Sequence, residues 1–242
     1  MHRVITMTVA VVLVSQVAWA AQAAVPSRDW GPRYAEFTAM VEKRPLSEEV
    51  KARLVTLLRS ESSLMLALRD TGDAAVLGEA YSSYIDEIVE EVFKLVKNGY
   101  TPGLQALIET PRYDPQSVIG RFIATAKWRE ALPYFLGLDR TRGQGVHYSG
   151  GVEMLGMIYR RHSPEMSASE RQQVENRLLD ALTDPHLIVR TSGFDAVVDA
   201  GLKSAIPLLQ ERANKSEREP GTGRYFEREA ALAAIQKLER LH

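Results

Sequence analysis

The residues of this chain best suited to chemistry are carboxylates. Asp86, Glu87, Glu90 and Glu91 recur at helical spacing, so one helix face could present paired carboxylates for acid–base work or for a divalent cation. Two observations argue for a solvated acidic face instead. No histidine lies nearby to complete a ligand set, and Ile85, Ile88, Val89, Val92 and Phe93 claim the opposite side of the same helix for a core. His147, His162, His186 and His242 are scattered, with neither HExxH nor H-x-H spacing. Gly143-Gln144-Gly145 has the glycines of a phosphate loop, but no Gly-Lys-Ser/Thr follows it and no strand precedes it. Ser149, in Tyr-Ser-Gly-Gly, lacks the G-x-S-x-G elbow and its strand–turn–helix context. The absence of cysteine removes disulfides, thiolate nucleophiles and thiolate metal sites together. The sequence therefore predicts no catalysis, no cofactor and no metal site.

Compartment is easier to read. Residues 1–24 carry Arg3, an apolar run broken only by Thr and Ser, then small residues, which is the pattern of a signal peptide. Ala18-Trp19-Ala20 and Ala21-Gln22-Ala23 both fit an A-x-A cleavage site, placing the cut after Ala20 or after Ala23. The run is too short and too badly flanked for a spanning helix, with an uncleaved anchor as the alternative. With no Cys following, a lipoprotein anchor is excluded. The expected destination is the periplasm or the exterior. Without Arg3 the chain carries 29 basic against 31 acidic residues, so no global field favours nucleic acid or membrane. About 220 mature residues suffice for one continuous core without staples.

The elements that must position these residues read as helices throughout. In 25–45, Tyr34, Phe37 and Val41 have helical spacing, giving a short helix that caps the first end of the molecule, with Trp30 beside it as core. Ser47 can cap the next helix, with Glu48 and Glu49 suiting its first turn, and that helix runs to about Arg69. Thr71-Gly72-Asp73 breaks it, and a long helix carrying the acidic face runs from Ala74 to Lys97, stopping at Asn98-Gly99. Thr101-Pro102 and Asp114-Pro115 each offer a capping residue followed by proline. Ser167 to Glu170 makes a capping box that opens a helix to Leu182.

The most informative stretch is 182–210, LTDPHLIVRTSGFDAVVDAGLKSAIPLLQ. Asp184 can cap a helix whose first position is Pro185. Val189, Phe194, Val197 and Val198 then recur at helical spacing, Gly193 lets a neighbour approach, and Ala200-Gly201 supplies the stop. Ala205, Ile206, Leu208, Leu209 and Arg212 carry a second helix, with Pro207 tolerated in its first turn. The pattern of Asp184, Pro185, Val189, Arg190, Gly193, Gly201, Ala205, Ile206, Pro207 and Leu208 resembles the HEAT repeat, particularly its short bacterial form. Shifting back 74 positions aligns Ile108, Pro111, Ala126, Ala131, Leu132, Pro133 and Tyr134 with Leu182, Pro185, Ala200, Ala205, Ile206, Pro207 and Leu208, a period of two units of about 37. Trp128 then falls on Leu202, a core position. Shifting forward 38 places Arg228, Ala231, Leu232 and Ile235 on Arg190, Gly193, Phe194 and Val197. Between these, 151–182 keeps only the helical pattern, with Val152, Leu155, Met157 and Ile158 apolar.

The resemblance implies an all-α chain built as a right-handed α-solenoid of antiparallel helix pairs, a HEAT/armadillo-like superhelix. Degenerate repeats would occupy 46–107 and HEAT-like repeats 108–242. In that family the residues at the places of Asp184 and Arg190 tie adjacent repeats together. Some HEAT-like proteins are lyases that attach bilin pigments, but the export signal argues against that role here.

Two connections are lengthened on the same edge of such a solenoid, 137–151 with five glycines and 214–225 with a polar run, roughly 20 Å apart at usual helix spacings. Arg140, Arg142, His147, Tyr148, Lys215, Arg218, Arg224 and Tyr225 are the partner-binding candidates they carry. The expected function is an exported scaffold or adaptor that binds a protein or peptide on its concave face or on this edge. An envelope protein, an assembly component and a toxin to be neutralised all remain open as partners. The alternative is a small-molecule-binding protein or enzyme using the acidic helix 85–93 and the two loops. The charged last helix, 227–240, reads as a polar cap and favours a monomer.

Overall fold

The computed structural model describes residues 29–70, 78–110, 117–138, 145–216 and 226–241. The expected signal peptide, the Thr71-Gly72-Asp73 break and the Asp114-Pro115 helix start lie outside the described residues. Eleven α-helices and no strand occur among the described residues, so the chain is all-α. No described helix is long and apolar enough to cross a membrane.

Local signals set most of the boundaries. Helix α1 (Gly31–Glu42) turns Phe37 and Met40 inward. Ser47 Oγ accepts from the Val50 N–H at 3.3 Å and starts α2 (Glu48–Asp70). Helix α3 (Gly78–Lys97) stops before Gly99, whose φ of +92° only glycine adopts freely. Helix α4 (Pro102–Glu109) begins at a proline as expected, although the Thr101 side chain makes no capping bond. Ser117 caps α5 (Val118–Ala126) by accepting from the Gly120 N–H at 3.0 Å, and α6 (Trp128–Leu136) follows almost at once. The capping box of Ser167 and Glu170 is complete at the start of α8 (Ala168–Ala181).

Two boundaries differ from the sequence expectation. The glycine-rich stretch 137–151 is helical from residue 145 onward, because α7 (Gly145–His162) absorbs its second half. Glycine weakens a helix by about 1 kcal/mol relative to alanine, yet here neighbouring chain sits where side chains would be. A Cβ on Gly151 would lie 2.3 Å from Leu138 Cδ1, and one on Gly156 only 2.6 Å from the carbonyl oxygen of Ala196. Helix α9 (Leu187–Ala200) starts after Pro185 rather than at it. Asp184 Oδ1 accepts from the His186 N–H at 2.9 Å, holding the turn that leads in. Gly201, at φ +67°, ends α9 in a left-handed cap, and a 3-10 turn, Lys203–Ala205, leads into α10 (Ile206–Lys215). The last helix is α11 (Phe226–Arg240).

Helix α7 is the centre of the packing. It contacts α5, α6, α8 and, most extensively, α9. Tyr148, Val152, Met154, Leu155, Met157 and Ile158 are all buried along it, covering nearly its whole circumference. Helices two apart in sequence lie against each other: α5 on α7, α7 on α9 and α9 on α11, and likewise α4 on α6 and α6 on α8. Side-chain contacts give the register. Ser192 donates to Glu153 Oε1 at 2.6 Å, Gly156 meets Ala196, and Arg160 pairs with Asp199 at 3.7 Å. These pairs advance together, so α7 and α9 run in the same direction. Arg129 reaches the Glu165 carbonyl 36 residues on, Arg190 reaches Glu227 at 37, His162 reaches the Ala124 carbonyl at 38, and Arg177 reaches the Leu136 carbonyl at 41. Before residue 111 the long-range polar contacts follow other spacings, such as 28 for Arg33–Glu61 and 48 for Ser62–Thr110.

Candidate functional site

The acidic helix face does not converge. Asp86, Glu87 and Glu90 are exposed, while Ile85, Ile88 and Val92 are fully buried on the other side of α3. Glu91 is the exception, at 12 % exposure, and it is held by Arg44 and by Lys94 Nζ at 2.9 Å. Burial alone would raise its pKa, but these two cations win and hold the carboxyl below the usual range. Among the described residues no group of three His, Asp or Glu side chains is placed to hold a metal ion.

The corner between α8 and α9 is tied up in structure. Arg190 Nη1 donates to the carbonyls of Asp184 and Pro185 at 2.7 and 2.9 Å. Its Nε and Nη2 grip both oxygens of Glu227 at 2.6 and 2.9 Å, a bidentate pair. Arg212 adds two bonds to Glu227 Oε1 at 2.9 and 3.0 Å, so one carboxylate links α9, α10 and α11. Glu227, expected on a polar cap, thus points inward, where burial opposes ionisation but the two arginines hold its pKa low. Asp184, 2 % exposed, is equally internal.

Of the eight partner-binding candidates, Tyr148 is corrected. It is 3 % exposed, with the Arg177 guanidinium 5.2 Å from its ring centre, and so belongs to the core rather than to a surface. The reason is the extension of α7, which carries the tyrosine into the packing with α6 and α8. His147 belongs to the first turns of the same helix. Lys215 is exposed at the end of α10 and pairs with Glu211 at 2.5 Å. Arg140, Arg142, Arg218, Arg224 and Tyr225 lie outside the described residues. No protein-family model, curated protein or solved structure matches the chain.

Two features had no local sequence pattern. One is a buried carboxylate, Glu61, with no exposed surface, enclosed by residues from three helices. Arg33 Nε and Nη2 donate to its oxygens at 2.5 and 3.3 Å, the Tyr81 hydroxyl to Oε2 at 2.7 Å and the Tyr84 hydroxyl to Oε1 at 3.2 Å. Trp30 stacks on Tyr84 at 5.7 Å and Tyr34 meets Tyr84 edge-on at 5.5 Å, closing the cluster. Burial, and next Glu61 beside them, push both phenols above their ordinary range. With its oxygens taken by four donors, Glu61 is arranged to fasten α1 onto α2 and α3, not to exchange protons with a substrate. The other feature is a polar groove of about 230 Å³ between α6 and α8, lined by Leu136, Gln173, Asn176, Arg177 and Asp180. Of its exposed polar groups, Gln173 Nε2 donates to Ser169 Oγ at 3.1 Å and Asn176 Oδ1 accepts from Gln172 Nε2 at 2.8 Å. Arg177 itself is engaged, donating to the Leu136 carbonyl at 2.9 Å and also to that of Leu138.

Proposed function

We propose that this chain is an exported HEAT-like binding module, a right-handed stack of antiparallel helix pairs that recognises a protein or peptide and carries out no catalysis. The observation that supports it most is the spacing of the polar ties between alternate helices, 37 to 41 residues, in the part of the chain whose sequence repeats at about 37. A stack of similar units gives such a constant separation because each residue meets its counterpart one repeat on. The Arg190–Glu227–Arg212 link has the role that the HEAT resemblance assigns to Arg190. The signal-like residues 1–24 motivate the assignment to the periplasm or exterior.

The face formed by α6 and α8 is the preferred contact surface, since Gln173, Asn176 and Asp180 are exposed there around a groove. Lys215 marks the competing edge. The test is affinity capture of the chain from envelope and secreted fractions of its own source, repeated with Asn176→Arg and with Lys215→Glu. A stoichiometric protein partner lost with Asn176→Arg supports the module and this face. Loss with Lys215→Glu alone moves the contact to the edge, and the absence of any stoichiometric partner overturns the reading.

A further inference from the structure

The connection between α1 and α2 and the connection between α3 and α4 together border an open pocket of about 550 Å³. Its apolar lining comes from Pro45, Leu46, Leu95 and the ring of Tyr100. The polar groups are the Arg44 guanidinium, the Lys51 ammonium and the exposed carboxamide of Asn98. Two cations and no carboxylate line the space, although the chain as a whole is slightly acidic. Their settings differ in a useful way. Arg44 is anchored through Nη2 to Glu91, so its guanidinium is oriented in advance. Lys51 Nζ sits 5.7 Å from the centre of the Tyr100 ring, and its carboxylate partner, Glu48 at 2.5 Å, is 78 % exposed. Such surface pairs contribute little and exchange readily. Lys51 is therefore free to trade Glu48 for an incoming anion.

An apolar hollow of several hundred Å³ with a few converging polar groups is the usual form of a small-ligand site. We propose that this pocket binds an amphipathic carboxylate, its headgroup between Arg44 and Lys51 and its apolar body over Leu46, Leu95 and Tyr100. The site is independent of the binding-module reading, and neither depends on the other. A free aliphatic acid and the C-terminus of a peptide ending in an apolar residue share this chemistry.

Calorimetric titration of the full chain tests it with octanoate, octylammonium and an acetylated dipeptide ending in leucine, as the acid and as the amide. Octanoate should bind, octylammonium should not, and the affinity should fall with added salt. Lys51→Gln and Arg44→Gln should each weaken octanoate by about tenfold or more, the cost of losing a charged hydrogen bond. Lys203→Gln, on an exposed turn elsewhere, should leave it unchanged. Binding of the dipeptide acid but not its amide would assign the site to a peptide end, and binding of octanoate alone to a free acid. Equal binding of octanoate and octylammonium by the unaltered chain overturns the proposal, and this comparison needs no variant. So does retained affinity in Lys51→Gln, or no heat from either carboxylate at millimolar concentration.

Discussion

Glu61 occupies a position where α2 calls for an aliphatic side chain. Leu54, Leu58, Met65 and Leu68 lie above and below it on one buried stripe, and the carboxylate interrupts that stripe at a helical interval. Breaking a buried ion pair from one side leaves an uncompensated charge, so Arg33→Met should cost about 3 kcal/mol in urea unfolding at neutral pH. Alkaline pH gives a second test. The Tyr81 and Tyr84 phenols have folded pKa values above the unfolded value of about 10. A raised acid of this kind contributes its full stability below the unfolded pKa and loses it as pH rises beyond. Unfolding free energy should fall above about pH 10, by up to about 1.4 kcal/mol per pH unit for each tyrosine. Tyr81→Phe should flatten that slope while losing about 1 kcal/mol at neutral pH. An unchanged slope in Tyr81→Phe would show that the Tyr81 phenol is not one of the groups responsible. Nothing in the sequence singled out Glu61, because its partners are distant in the chain. Arg33, Tyr81 and Tyr84 lie 28, 20 and 23 residues away on other helices, and no local rule pairs them.

Between elements, the most extensive packing is that of α7 on α9; Gly156 of α7 lies within it, while Gly193 of α9 faces Ala181 at the end of α8. Alanine in place of a helical glycine gains about 1 kcal/mol in propensity. At Gly193 the new Cβ would meet Ala181 Cβ at 3.1 Å, a contact that small shifts relieve, so Gly193→Ala should be close to neutral. At Gly156 it would sit 2.6 Å from the Ala196 oxygen and 2.8 Å from its Cα, backbone that yields only if the helices part. Overpacking of this kind costs about 1–3 kcal/mol and outweighs the propensity gain, so Gly156→Ala should lower the melting temperature where Gly193→Ala does not. The Glu227 tie between α9 and α11 adds an acid-side prediction. Its pKa is depressed in the fold, so its contribution is present above the unfolded value of about 4.3 and lost as pH falls through the folded one. Glu227→Gln should weaken the chain at pH 7 and remove part of its acid dependence, measured as melting temperature against pH. Starts and stops of this kind were largely legible: Ser47, Ser167, Gly99 and Gly201 act where local chemistry placed them. The first turns of α7 were not, because Gly145, Gly150 and Gly151 favour a loop in isolation, and the close packing of Leu138 and Phe135 on Gly151 was not visible in the sequence. That same override turned Tyr148 from a surface candidate into core, while for Arg190 the HEAT resemblance already implied a structural role.

At the scale of the whole molecule, the contacts predict an uneven distribution of stability. Helix α7 is wrapped by α5, α6, α8 and α9, so its amides open to solvent only when several neighbours separate. Helix α1, by contrast, rests mainly on α3 and the Glu61 cluster. The N-terminal helices α2, α3 and α4 pack on one another and meet the rest through α4 on α6 and the edge-on pair Phe93–Phe122, 5.3 Å between ring centres. A chain whose parts meet through a thin junction loses cooperativity there. Hydrogen exchange read by mass spectrometry should therefore find the slowest amides in α7 and in α9 around Phe194 and Val197, intermediate protection in α2 and α3, and the fastest exchange of any described helix in α1. Phe93→Ala removes a ring at the thin junction without touching α7. It should raise exchange across 48–109 and leave the slowest amides of α7 and α9 where they were. Were the substitution instead to accelerate all helices equally, the chain would unfold as a single unit. The difference in the spacing of long-range polar ties before and after residue 111 would then have no energetic counterpart.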